Sequence, residues 1–86
     1  MFAVTVTTDA REQLLKLPLT IRVRIAQVFE RLGNWPDVSG AKPLRRGMKG
    51  SYRIRTGDYR VLFSVNESRR TISVWKIGDR KDVYED

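Results

Sequence analysis

The chain contains no cysteine and no histidine. The first absence excludes a disulfide framework and any thiolate nucleophile, and leaves nothing in favour of an oxidising compartment. The second removes the commonest general acid/base and the commonest transition-metal ligand. A zinc centre or a histidine-based hydrolase therefore has no residues to build it, and no metal or other cofactor is expected. Long apolar runs are missing too. Met1-Phe2-Ala3-Val4-Thr5-Val6 has neither the charged region nor the continuous apolar core of a signal peptide. No stretch approaches the roughly 18 apolar residues of a membrane span. The chain reads as complete and cytoplasmic, with no membrane partner.

Acidic residues are also scarce, at 10 against 17 Lys and Arg, leaving a net charge of +7. Residues 1–43 hold 6 basic and 4 acidic side chains, net +2, whereas residues 44–86 hold 11 and 6, net +5. The second half therefore carries a field that attracts polyanions or an acidic protein. At 86 residues with 41% hydrophobic content, one domain spanning residues 1–86 with one core is expected. A fold this small buries about 60% of its unfolded surface.

Phe2, Val4 and Val6 alternate with Ala3, Thr5 and Thr7, which predicts a first strand. Thr8 or Asp9 opens a helix, with Asp9 and Glu12 in a capping arrangement and Ala10, Leu14, Leu15 and Leu17 as its apolar face up to Pro18. A second helix is predicted from about Leu19 to Leu32, because Ile21, Ile25, Val28, Phe29 and Leu32 recur at three- and four-residue steps. Gly33 suits a left-handed helix end, and Pro36 forbids resumption nearby. Residues 33–50 are rich in turn formers. From Ser51 the period changes to two, giving three strands joined by short polar turns. The expected fold class is α+β, a β-α-α-β-β-β domain in which a two-helix hairpin packs on an antiparallel sheet. Phe2, Phe29, Phe63 and Trp75 lie on apolar stripes and are assigned to the core.

Thr56-Gly57-Asp58-Tyr59 reads as a two-residue hairpin turn, with Gly57 supplying the positive φ. That register sets Thr56 opposite Tyr59, Arg55 opposite Arg60 and Arg53 opposite Leu62. Alternation then puts Arg53, Arg55 and Arg60 on one face, and Tyr52, Ile54, Val61 and Phe63 on the other. Like charges directly opposed cost roughly 0.2 to 1 kcal/mol, which a bound anion would offset. Arg45, Arg46 and Lys49 lie just upstream, so residues 44–65 contain six basic side chains and a single acid, Asp58. Guanidinium groups favour two-pronged contact with phosphate oxygens and stacking on bases. Composition and register leave RNA, an acidic protein and an ordinary solvated sheet face all open.

The segments Tyr52-Arg53-Ile54-Arg55, Gly57-Asp58-Tyr59-Arg60-Val61-Leu62-Phe63 and Gly78-Asp79-Arg80-Lys81-Asp82-Val83-Tyr84 resemble the RelE branch of the RelE/ParE toxin superfamily of bacterial type II toxin–antitoxin systems. The resemblance runs over essentially the whole chain. It implies an mRNA interferase: an endoribonuclease working in the ribosomal A site and so inhibiting translation, in which a 2′-hydroxyl attacks the adjacent phosphate. It also implies a cognate acidic antitoxin as partner. By the same resemblance the catalytic set is Arg53, Arg55, Arg60, Arg80 and Tyr84; the basic residues around them, Arg45, Arg46, Lys49 and Lys81, are expected to bind RNA phosphates. Two lysines stand in the founding member where this chain has Arg53 and Arg55. A guanidinium with a pKa above about 12 hardly deprotonates, so these arginines suit charge stabilisation better than proton abstraction. A gyrase-inhibiting toxin of the ParE branch and a catalytically weak binding module of the same fold are the competing expectations.

Overall fold

The computed structural model describes residues 1–44 and 49–79. Strand β1 (Ala3–Val6) leads through Thr7 into helix α1 (Thr8–Leu15). The helix begins where Thr7 is extended, at φ −66° and ψ 161°, and its Oγ1 accepts a hydrogen bond from the Ala10 amide at 3.2 Å. Thr7, not Asp9, is thus the N-cap, and Asp9 instead places its charge in the first turn, where it complements the helix dipole. Pro18 ends the first helix and starts the second. Its carbonyl accepts from the Ile21 and Arg22 amides, both at 3.0 Å, as α2 (Leu19–Leu32) opens.

Helix α2 has the predicted bounds, and its stripe holds: Ile25, Val28 and Leu32 are buried, and Ile21 and Phe29 pack against them. Two further expectations for the helix pair are corrected. Leu15 is 58% exposed rather than on the core face, because α1 buries only Ala10 fully and turns Leu14 inward, while Leu17, beyond its end, packs against the core. Gly33 is right-handed, at φ −60° and ψ −20°, and the chain leaves α2 through further turns, with the Asn34 and Trp35 amides donating to Arg31 and Leu32. Gly33 also touches the N-terminal strand, its carbonyl accepting from the Phe2 amide at 3.1 Å.

The remaining strands are β2 (Lys42–Pro43), β3 (Ser51–Thr56), β4 (Tyr59–Asn66) and β5 (Thr71–Asp79). They form one sheet in the order β1-β5-β4-β3-β2. The β-α-α-β-β-β order is present with one short strand, β2, added at the edge. The meander β3-β4-β5 is antiparallel, but β1 joins β5 in parallel, with Val4 beside Ile72 and Val6 beside Val74, so the sheet is mixed. No helix among the described residues is long and apolar enough to cross a membrane.

One sheet face receives the helices. Ile54, Val61, Phe63, Ile72, Val74 and Ile77 form its core with Phe2, Ala10, Ile25, Val28 and Leu32. At the margin, Trp35 packs edge-on to Tyr52 at 4.6 Å and to Phe63 at 5.7 Å, and Tyr52 stacks on Phe63 at 5.8 Å. The Trp35 indole N–H donates to Glu67 at 3.2 Å, tying the loop after α2 to the β4–β5 turn.

Strand β5 breaks its own alternation. Phe63 pairs with Val74 and Leu62 with Lys76, so Trp75 is an extra residue between two paired positions, a β-bulge. Both Val74 and Ile77 therefore face the core although they are three residues apart. Trp75 is a further correction: half-buried, it lies outside the core cluster, as the extra residue between core-facing Val74 and Lys76 on the other face. The Ile77 amide, beyond the last β1 pairing at Val74, donates to the Gln13 Oε1 of α1 at 2.8 Å.

Candidate nucleic-acid interface

The β3–β4 hairpin has the expected register in full: Thr56 opposes Tyr59, Arg55 opposes Arg60, Ile54 opposes Val61 and Arg53 opposes Leu62. Gly57 is at φ +61°, and Asp58 is not at positive φ, the type II′ pattern that suits the right-handed twist of a hairpin. A two-residue turn of this kind fixes which side chains share a face. A Cβ on Gly57 would sit 3.0 Å from Arg24 Nη1, so the arginine of α2 reaches the hairpin tip.

Arg53, Arg55 and Arg60 therefore project from the sheet face opposite the helices. Arg55 is exposed, whereas Arg53 and Arg60 are half-buried, and the Arg60 Nε is closed off from solvent. Directly opposed residues in an antiparallel pair lie about 4.5 to 5.5 Å apart at Cα, and diagonal neighbours about 7 to 8 Å. The Arg55–Arg60 pair and its diagonal neighbour Arg53 thus present three guanidiniums to one region of about a phosphate and its neighbours. Three planar, permanently charged groups held by a rigid sheet can grip a phosphodiester and stabilise charge that develops on it.

Leu62 stands on this same face and is only 2% exposed, yet it is absent from the core cluster. Its neighbours across the strands are Arg53 and Lys76, both half-buried. Long cationic side chains of this kind cover apolar surface with their stems while keeping the charge outward. Leu62 was not singled out by sequence reasoning, although its place opposite Arg53 was implicit in the hairpin register. Further along the face Ser51, Ser64 and Ser73 oppose one another, and the Ser51 and Ser64 hydroxyls share a hydrogen bond of 3.1 Å.

Of the remaining expected site residues, Lys49 is exposed in the turn that leads into β3. Arg45, Arg46, Arg80, Lys81 and Tyr84 lie outside the described residues. Among the described residues, no cluster of three or more His, Cys, Asp or Glu could hold a metal ion.

Residues 4–84 match the family described as ParE toxin of type II toxin–antitoxin system, parDE. The chain is 34% identical over 84 residues to Toxin RelG of Mycobacterium tuberculosis, covering 96% of this chain and 95% of that protein. It is 32% identical over 84 residues to Toxin RelE of the same organism, covering 96% and 86%. Among solved structures, the toxin–antitoxin complex RelBE2 from Mycobacterium tuberculosis aligns with a TM-score of 0.81 at 33% identity, over 94% of this chain and 93% of that one. The isolated Escherichia coli RelE toxin aligns with a TM-score of 0.78 at 21% identity, over 92% and 84%, a likeness of fold.

Proposed function

The chain belongs to the RelE/ParE toxin family of type II toxin–antitoxin systems, and from that premise we propose that it is an mRNA interferase acting in the ribosomal A site of the cytoplasm. The observation that carries this reading is the register of the hairpin. Arg55 and Arg60 stand directly opposed with Arg53 beside them, on the face away from α1 and α2. A phosphate bound across this face would offset the mutual repulsion of the opposed arginines.

In the reaction the 2′-hydroxyl oxygen of one nucleotide forms a bond to the adjacent phosphorus. The P–O5′ bond breaks with its electron pair leaving on the 5′ oxygen, which takes up a proton. The products are a 2′,3′-cyclic phosphate and a 5′-hydroxyl. Arg53, Arg55 and Arg60 supply positive charge to the phosphate oxygens as negative charge accumulates there. The proton of the 2′-hydroxyl leaves to a group other than these three, because a guanidinium stays protonated below a pH of about 12. Positioning contributes as well: aligning nucleophile and phosphorus is worth several kcal/mol, up to about 7 to 11 in ideal cases. Arg80 is assigned to the leaving oxygen and Tyr84 to orienting the nucleophile or stacking on a base. Arg45, Arg46, Lys49 and Lys81 are assigned to flanking phosphates.

The partner that restrains the toxin is an acidic antitoxin. Its charge complements the +7 chain, and RelE relatives from several organisms have been crystallised as complexes with their antitoxins. A gyrase-directed activity is the second reading, favoured by the ParE description of the matching family. The two separate cleanly. Purified chain is added to a cell-free translation reaction and message 5′ ends are mapped, and in parallel to a gyrase supercoiling reaction. New 5′ ends within the reading frame support the interferase. Inhibited supercoiling over intact message assigns the ParE activity.

A further inference from the structure

One row of the open sheet face crosses four strands. Lys42 on β2 stands opposite Arg53 on β3, Arg53 opposite Leu62 on β4, and Leu62 opposite Lys76 on β5. Directly opposed residues project from the same side of a sheet. Lys42 and Lys76 therefore share the face of Arg53, Arg55 and Arg60.

For Lys76 this placement is the work of the bulge. Strict alternation from Ile72 and Val74 would turn Lys76 into the core. The extra residue Trp75 shifts the phase, so Lys76 comes out beside Leu62 and Ile77 goes in, where it is 2% exposed. The next position of β5 on this face is Gly78, opposite Arg60. Gly78 adds no side chain to this face, so Lys76 is the one β5 residue there that brings a positive charge beside Leu62 and Arg60. Lys42 is exposed and Lys76 half-buried. Among the described residues, no Asp or Glu occupies a register position on this face.

We propose that Lys42 and Lys76 contact RNA phosphates on the two flanks of the one gripped by Arg55 and Arg60, so that a single RNA strand runs across the β-strands rather than along them. The row spans three inter-strand spacings, about 14 Å, long enough for more than one phosphate. Its chemistry favours a nucleic-acid backbone over a protein segment. The apolar residue in the row, Leu62, is buried, and Ser51, Ser64 and Ser73 beside the row carry hydroxyls, whereas a docked protein segment gains most from exposed apolar surface at the centre of its site. The inference rests on the RNA-directed reading above and extends it to two residues and a direction.

Binding of a short, fully 2′-O-methylated RNA strand, which offers no 2′-hydroxyl to react, is measured as a function of salt for the full-length chain. Each phosphate contact removed lowers the slope of log K against log salt by about 0.7 for a single strand. Lys42→Met and Lys76→Met are each expected to lose that amount and the double variant about twice it, while Lys76→Arg keeps the wild-type slope and Lys16→Met just after α1 leaves it unchanged. If the free chain holds the strand too weakly to titrate, the salt dependence of kcat/KM for message cleavage gives the same slopes. Unchanged slopes for Lys42→Met and Lys76→Met in a chain that cleaves message overturn this inference and leave the interferase standing. A Lys76→Arg chain that loses as much as Lys76→Met overturns it as well, since charge would not be what acts. Binding to polyglutamate that weakens in place of the RNA slope assigns the row to an acidic protein and overturns it too. A wild-type chain that neither binds RNA nor cleaves message removes both readings together.

Discussion

Replacing Gln13 with alanine tests how the bulged end of β5 is held against the helices. The Ile77 amide donates to Gln13 Oε1 at 2.8 Å, and Ile77 is 2% exposed, so the alanine variant takes the acceptor from an amide at the packed edge of α1 and the sheet. An unsatisfied buried amide costs about 1 to 3 kcal/mol. For a domain of this size that lowers Tm by roughly 4 to 24 °C, taking about 4 to 8 °C per kcal/mol. Equilibrium unfolding in urea, followed by tryptophan fluorescence, is the assay. The midpoint should fall with an unchanged m-value, because the surface exposed on unfolding is nearly the same. Gln13→Glu keeps an acceptor at the same place and should recover most of the loss. A Gln13→Ala chain as stable as wild type would refute the reasoning, and equal losses for the alanine and glutamate variants would show that the hydrogen bond is not what matters.

Arg60→Ala and Arg53→Ala should each slow message cleavage by about 10²-fold or more, the usual cost of removing one preorganised charge-stabilising group, while Arg11→Ala on exposed α1 leaves the rate unchanged. Gly57→Ala should destabilise by about 1 to 2 kcal/mol because its φ is +61°, and Gly57→Asn by less, measured by thermal melting. The clash with Arg24 adds little, since the end of an arginine side chain can swing aside. Leu62→Ala should cost about 2 to 5 kcal/mol despite lying on the face away from the helices, because it is 2% exposed, and urea unfolding reads that loss.

Helix α2 and the β3–β4 hairpin were legible for physical reasons. Five apolar residues at helical spacing leave one way to bury α2, and a two-residue turn leaves one register for the hairpin, so the opposition of Arg55 to Arg60 follows from local residues alone. The rest depends on contacts between distant segments. The parallel pairing of β1 with β5 joins residues 3–6 to residues 71–74, and no local pattern encodes it. The bulge at Trp75 has the same character. Its residues alternate well enough to read as a regular strand, and only the pairing with β4 shows that Lys76 belongs to the arginine face. Lys42 was hidden differently, since a strand of two residues carries no period to read. Gly33 shows the limit of reading a glycine by type: its carbonyl receives the Phe2 amide, and the right-handed turn that makes this contact requires no positive φ.

The most direct test of the proposed RNA cleavage is the map of message 5′ ends after adding the purified chain to a cell-free translation reaction. New 5′-hydroxyl ends within the reading frame, present with ribosomes, lost with Arg60→Ala and suppressed by an acidic antitoxin, are the expected result. Message that stays intact at doses of the chain that arrest growth would contradict it.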